Sequence, residues 1–398
     1  MSEVSCENKK LGIYIHVPFC VSKCHYCSFA SKPVGLKGIS EFEEKLYKES
    51  VIKEINSINK RLIAEGVYDK SNFNDYIVDT VFFGGGTPSL LQAQTFHEIL
   101  SLLSQVFKLA ENLEVTMEIN PENIRRSDIA DFHKAGINRI SIGAQSFSDR
   151  VLKMLGRVHC SHDILKAYEE AQKAGFDNIS LDLMFAIPGQ TKDEWDRSVE
   201  KAVEITPAHI SIYGLQFEEG TKFYDDLKYD ITHEKSDDEY NEMFSSAVES
   251  MSKSGYSHYE ISNFAITGFE CRHNLKYWSL DEYLGLGESS ASYFNGFRWK
   301  NLRLYDGNTE FDEKHRNTIE ENISEYIFTG LRKLQGININ EFKDKFGENL
   351  DDIVQKNMTE LQPFLDFGAI KYDDGHLRLT EKGINISNQI MSIFVHVR

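Results

Sequence analysis

Positive charge is what this sequence is short of. Its 44 Lys and Arg stand against 62 Asp and Glu, a formal net charge of −18. General nucleic-acid binding is excluded on that ground, because phosphate affinity needs a basic surface. A local basic pocket for a carboxylate-bearing ligand is not. No apolar run reaches the roughly 20 residues that span a bilayer, so no membrane segment is expected. Residues 1–10 are polar, lack a signal-peptide pattern and read as a flexible N-terminus. Cysteine is sparse: Cys6, Cys20, Cys24, Cys27, Cys160 and Cys271 are the whole set. In a long chain without a secretion signal these are metal ligands or reduced thiols rather than a disulfide frame, and the expected compartment is the cytoplasm. What is present is enough apolar material for a packed fold, 41% hydrophobic and 12% aromatic residues. At 398 residues the chain exceeds what one core usually holds, which predicts one large domain and a smaller one.

Half of the cysteines fall in one short stretch, Cys20-Val-Ser-Lys-Cys24-His-Tyr-Cys27, directly after an apolar run at residues 11–17. Thiolates are soft ligands that hold iron–sulfur clusters. Three of them close together can hold three irons of a cubane and leave the fourth open to a small molecule. The plainer alternatives are a zinc site, with His16 or His25 as fourth ligand, or three unrelated thiols. The spacing favours the cluster.

The first half of the chain alternates strand and helix. Strand-like runs at residues 13–17, 80–83, 113–119, 139–143, 178–184 and 209–215 enclose helical patterns at 41–65, 90–107, 127–135, 161–174 and 192–205. Such alternation predicts parallel strands with crossover helices. Six units make an open partial barrel, and chemistry then belongs at the C-terminal ends of the strands. Residue types agree. The strands run out into Cys20, Gly84-Gly85-Gly86-Thr87-Pro88, Glu118-Ile-Asn120, Ala144-Gln145, Asp182 and Tyr213, so polar groups and glycines gather at one rim. The glycine cluster is not a Walker loop, since no Gly-Lys-Ser/Thr follows. It is either a bare turn or a place where backbone groups meet a ligand closely.

The flanks of the cysteine motif, Tyr14-Ile-His16-Val-Pro18-Phe19-Cys20 and Cys24-His25-Tyr26-Cys27, resemble the radical S-adenosylmethionine (SAM) superfamily. The branch they resemble most contains oxygen-independent coproporphyrinogen III oxidase and the haem chaperone HemW. The resemblance implies a six-unit partial barrel. It also implies a [4Fe–4S] cluster on Cys20, Cys24 and Cys27 as metal ligands, with SAM chelating the open iron. By the same resemblance the SAM pocket would be lined by Tyr14 near the sulfonium, by the backbone of Gly85, Gly86 and Thr87, and by Glu118, Gln145, Arg157 and Asp182. Acids there contact ribose hydroxyls, and an arginine can pair with the methionyl carboxylate. For each residue the ordinary alternative is a solvated strand-end acid, a helix cap or a surface charge.

The middle of the chain separates the two family branches. Cys271-Arg272-His273-Asn274-Leu275-Lys276-Tyr277-Trp278 contains H-N-x-x-Y-W, which resembles HemW and not the oxidase. As a lone motif it would be a packed aromatic edge with a satisfied histidine. In this context His273 and Cys271 become candidate haem ligands. The oxidases also carry a further Cys two positions after the third and a long N-terminal extension. Here Ser28-Phe29 follows Cys27, and Cys20 stands almost at the start.

Past residue 305, helical patterns at 318–334, 339–346 and 350–365 precede two short strands joined by Asp373-Asp374-Gly375, a hairpin signal, and a last helix capped by Thr380. This predicts a small winged-helix-like α+β domain, acidic enough to serve as a lid or partner surface rather than a DNA reader. The expected organisation is residues 1–10 as N-terminus, 11–217 as the α/β barrel, 218–305 as its extension and 306–398 as the C-terminal domain. The leading expectation is a HemW-like protein that binds haem, a [4Fe–4S] cluster and SAM and passes haem to an acceptor protein. It includes transient contact with membrane-bound respiratory proteins. The rivals are radical decarboxylation of coproporphyrinogen III and a zinc-bound interaction module. No catalytic residue is assigned.

Overall fold

The structure, a computed structural model, describes residues 9–123, 126–303 and 309–395. Residues 1–8, and with them Cys6 and most of the expected N-terminal tail, lie outside the described residues. Lys9 and Lys10 do not belong to that tail: they open the first strand, β1 (Lys9–Val17). A two-residue strand pair, β2 (Phe19–Cys20) and β3 (Lys32–Pro33), brackets the cysteine loop. The alternation then follows as α1 (Glu41–Ala64), β4 (Tyr76–Gly85), α2 (Ala93–Val106), β5 (Lys108–Ile119), α3 (Arg126–Lys134), β6 (Arg139–Gln145), α4 (Asp149–Met154), α5 (Ser161–Lys173), β7 (Asn178–Phe185), α6 (Lys192–Ile205) and β8 (His209–Gly214). The strands β1-β4-β5-β6-β7-β8 lie side by side in chain order, and every neighbouring pair is parallel. β5 begins five residues before the expected start, because Lys108, Glu111 and Asn112 hide its opening from an apolar count.

The rest of the chain extends this sheet at both edges. Helices α7 (Lys222–Lys228) and α8 (Asp237–Lys253) lead to β9 (Ser257–Glu260) and β10 (Asn263–Ala265), and β10 pairs antiparallel with β8. After α9 (Arg272–Trp278) the chain crosses to the other edge. There β11 (Tyr283–Leu286) joins β1 in parallel, followed by the antiparallel β12 (Ala291–Phe294), β13 (Phe297–Arg303) and β14 (Thr309–Arg316). The result is a twelve-stranded mixed sheet with two free ends, an open partial barrel.

Burial explains the strand sequences. β4 and β6 are buried along almost their whole length, and most of their buried residues are apolar. Helix α6 buries Trp195 completely, and its indole N–H donates to the Met243 carbonyl of α8 at 2.6 Å. The Glu44 carboxylate of α1, itself buried, accepts from Gln92 N and Thr95 Oγ1 at 2.7 and 2.6 Å and so caps the start of α2.

The C-terminal unit carries α10 (Ile319–Gly330), β15 (Ile337–Asn338), α11 (Ile339–Phe346), α12 (Leu350–Lys356), α13 (Met358–Asp366), β16 (Ile370–Asp373), β17 (His376–Leu379), α14 (Glu381–Ile384) and α15 (Ser387–Ser392). Asp374 and Gly375 both adopt positive φ, 49° and 76°, as a two-residue hairpin turn demands. Thr380 accepts from Gly383 N as expected of a cap. The expected third helix is two, broken at Asn357, and the last is likewise two. Among the described residues no helix is long and apolar enough to cross a membrane.

Candidate functional site

Every parallel strand delivers its C-terminal end to one rim. The glycine run is stitched to the segment before the first cysteine: Gly86 N donates to Val17 O at 2.8 Å and Thr87 N to Phe19 O at 2.6 Å. A side chain at Gly86 would stand 2.5 Å from the Phe19 carbonyl oxygen, and Gly85 holds a φ of 104°. The glycines are therefore required by backbone contact, and that contact places Thr87 with its hydroxyl 3.6 Å from Cys20 Sγ. The other end of the cysteine loop is held by His25, whose N–H donates to Leu155 O at 3.0 Å and whose carbonyl accepts from Phe223 N at 2.9 Å.

Arg157 is the main cation of the rim. Its Nη2 donates to Asn120 Oδ1 at 2.7 Å and Gly143 O at 2.9 Å, while Nη1 lies 3.6 Å from Cys24 Sγ. The negative groups around it hold the guanidinium above its ordinary pKa against the effect of burial. A hydroxyl and a cation thus stand against two of the three sulfurs. Among the described residues no three His, Cys, Asp or Glu side chains converge as they would on a single ion.

Cys20, Cys24, Cys27, Gly85, Gly86, Glu118, Gln145, Arg157 and Asp182 line one cavity of about 310 Å³, together with Asn120 and Tyr213. Thr87 lies just beneath it, 1% exposed. Gln145 holds a left-handed φ of 62°, unusual for a non-glycine residue. Tyr14 and His273 are not in that cavity. They line an adjoining one of about 450 Å³, which shares Gly85, Glu118, Ser141, Asp182 and Tyr213 with the first. Tyr14 is hydrogen-bonded to His16 Nδ1 at 3.1 Å and stacks on Phe82. Glu118 accepts from Gly85 N at 3.1 Å, and burial together with the neighbouring Asp182 carboxylate pushes its pKa up to about 7. Asp182 is also raised by burial, even though Ser141 Oγ donates to it at 2.8 Å.

His273 is 1% exposed, with one ring nitrogen hydrogen-bonded to Thr80 Oγ1 and the other to the Tyr277 hydroxyl, both at 2.8 Å. Burial and nearby cations push its pKa down to about 3, so the imidazole is neutral. Cys271 is fully buried and its thiol is pushed up to about 12. It sits at the start of α9, where Glu114 accepts from the N–H groups of Arg272 and His273, each at 3.1 Å. Cys271 is thus a core thiol, not a cavity ligand. Cys160 caps α5 and its thiol donates to Asp163.

Three polar residues that line the second cavity were not singled out in the sequence. Arg139, 2% exposed, opens β6 and reads locally as a strand flank. Ser141 and Ser211 are small strand residues with no motif around them. Only the alternation of β6, β7 and β8 into one cavity distinguishes them.

The family model for the radical SAM superfamily matches residues 14–202, and that for the HemN C-terminal domain matches residues 318–386. The haem chaperone HemW of Bacillus subtilis is 33% identical, covering 96% of this chain and 98% of that protein. HemW of Lactococcus lactis is 31% identical, covering 97% and 98%. Among solved structures, coproporphyrinogen III oxidase (HemN) from Escherichia coli, described as a radical SAM enzyme, superimposes with a TM-score of 0.80 at 19% identity, covering 98% of this chain and 90% of that one. At that identity the likeness concerns the fold.

Proposed function

We propose, from the premise that this chain belongs to the HemW family of the radical SAM superfamily, that it binds haem beside an iron–sulfur cluster and hands it to an acceptor protein. Family membership brings with it a [4Fe–4S] cluster and SAM. The observation that carries the haem half is the adjacency of two cavities: the one at the cysteines and the one at H-N-x-x-Y-W share Glu118, Asp182 and Tyr213.

Cys20, Cys24 and Cys27 would hold the cluster, and the bound cluster supplies an open iron for the amino and carboxylate groups of SAM. Arg157 offsets thiolate charge at Cys24 and stands ready for a carboxylate. The glycine run offers backbone groups at close range, and Glu118 and Asp182 accept from hydroxyl donors. Gln145 and Tyr14 complete the walls on either side.

In the second cavity His273 is the candidate haem ligand. Its Thr80-facing nitrogen is committed within the sheet, so the nitrogen now bonded to Tyr277 is the one available to iron, at the cost of that hydrogen bond. The neutral state of the ring suits metal ligation. The acceptor is a protein, and the acidic surface disfavours nucleic acid.

Anaerobic reconstitution followed by iron and sulfide analysis tests the cluster, with Cys24→Ser as control. Titration with haem then tests the chaperone function through the Soret band. A shifted, saturable Soret band supports it. Formation of protoporphyrinogen from coproporphyrinogen with SAM and reductant would reject it in favour of the oxidase.

A further inference from the structure

Beneath the rim, the interior of the barrel holds polar side chains that the site described so far does not use. Ser141 of β6, Ser180 of β7 and His209 of β8 stand side by side in register. Ser180 is fully buried and His209 is 1% exposed, and neither lines the two rim cavities. Ser180 precedes Asp182 by two residues, on the same face of β7, and its hydroxyl reaches the Asp182 carboxylate at 3.2 Å. His209 bonds to Ser180 Oγ through Nδ1 and to the Tyr259 hydroxyl through Nε2, both at 2.8 Å. Tyr259, on β9, accepts in turn from Cys271 N at 3.2 Å. Residues from three strands thus form one hydrogen-bonded chain that ends on a rim carboxylate.

The chemistry of the groups sets the direction of that chain. The Cys271 amide can only donate, so it takes a lone pair of the Tyr259 oxygen. Burial raises the Tyr259 pKa, so the phenol keeps its own proton, and among the described residues that proton has one acceptor, His209 Nε2. Burial and the nearby Arg139 charge hold His209 well below its ordinary pKa, so the ring is neutral and carries its proton on Nδ1. Nδ1–H then donates to Ser180 Oγ, and the Ser180 hydroxyl donates to Asp182. The opposite setting would leave the Tyr259 O–H without a partner and take the Ser180 proton away from the carboxylate, whereas buried polar groups are nearly always paired. Every donor in the chain therefore points toward Asp182. Ser141 Oγ adds a further donor at 2.8 Å, and the carboxylate opens onto both rim cavities with lone pairs left for donors there.

We propose that His209 and Tyr259 are positioning residues for the cofactor, holding Asp182 through Ser180 as an acceptor for the ribose hydroxyls of SAM. This assignment rests on the SAM binding proposed above. It goes further in giving a part in cofactor affinity to two residues that line neither rim cavity.

Titration calorimetry of the full-length reconstituted protein, with SAM and with an analogue lacking both ribose hydroxyls, is the test. Tyr259→Phe keeps the ring and removes the proton that sets the chain. It should weaken SAM about threefold, the scale of one impaired neutral hydrogen bond, and leave the analogue unchanged. His209→Phe should weaken SAM about tenfold and again spare the analogue. In an Asp182→Asn background, with no carboxylate to hold, Tyr259→Phe should have no further effect. Equal losses for SAM and analogue, or a Tyr259→Phe loss that persists in full beside Asp182→Asn, would make the two residues structural supports and overturn the assignment. SAM affinity unchanged in both variants would overturn it as well. If the wild-type protein binds SAM and analogue equally, Asp182 holds no hydroxyl and the assignment falls while SAM binding stands. If it binds neither, the SAM site proposed above fails and takes the assignment with it.

Discussion

Glu118 offers the sharpest quantitative test of the site. Its carboxyl is shared by both rim cavities, and it is pushed from 4.5 to about 7 by burial and by the Asp182 carboxylate, with Gly85 N–H and Arg139 opposing. Between those two values the folded protein holds a proton that the unfolded chain has released. Stability is therefore highest below pH 4.5, falls as pH rises from 4.5 to 7, and is level above it as far as this group is concerned. At 1.36 kcal/mol per pH unit the step corresponds to about 3 kcal/mol, and solvent in the open cavity reduces this toward about 2. Glu118→Gln keeps an acceptor for Gly85 N–H and removes the ionisation. Urea denaturation of wild type and variant should give a stability difference that grows in the variant's favour by about 2–3 kcal/mol between pH 5 and pH 8. Carbon NMR of 13Cδ-labelled glutamate should show one resonance titrating near 7 that is missing from the variant. In the wild type SAM affinity should rise through the same window as the carboxylate becomes available to hydroxyl donors, and in the variant it should not. A Glu118 midpoint near 4.5, or a stability difference that does not change with pH, would refute the claim that this acid is desolvated at the rim.

Three further outcomes are expected. Gly86→Ala forces a methyl group against the Val17 and Phe19 carbonyls, which should cost about 1–3 kcal/mol and displace the cysteine loop. Iron content after anaerobic reconstitution should fall well below wild type, and wild-type iron loading would contradict the stitched geometry. Trp195→Ala removes a fully buried indole between α6 and α8 that lines neither cavity, and should cost about 3–5 kcal/mol in chemical denaturation. His273→Ala should abolish the Soret shift on haem addition, and free imidazole in the buffer should restore it. A shift that persists unchanged without imidazole would remove His273 as the ligand.

Some of this protein could be read along the chain because the causes are local. The alternation of strands and helices follows from apolar spacing, the hairpin at Asp374-Gly375 from the φ values those residues tolerate, and the cap at Thr380 from one hydroxyl. The cysteine spacing is covalent, so three sulfurs had to lie near one another whatever the fold. The clustering of Gly85, Glu118, Gln145 and Asp182 was legible too, because parallel strands with right-handed crossovers all end on one side.

Other features depend on which distant segments meet, and no local pattern encodes that. β11 is an ordinary four-residue apolar run, and only pairing with β1, about 270 residues earlier in the chain, makes it a seventh parallel strand. Cys271 and His273 are two residues apart and looked equivalent as ligands, yet the fold buries one in the core over Glu114 and sets the other at a cavity wall. Arg139 opens a strand and Arg332 lies inside an expected helix, and no motif marks either. β6 turns one into a cavity wall, and the turn after α10 lays the other over Trp278. Sequence determined the nearness of the three cysteines and the composition of the rim, since those rest on spacing and strand direction. Tertiary structure decided which polar groups lose water and which partners they keep, because desolvation is a property of everything packed around a group and not of its neighbours in the chain.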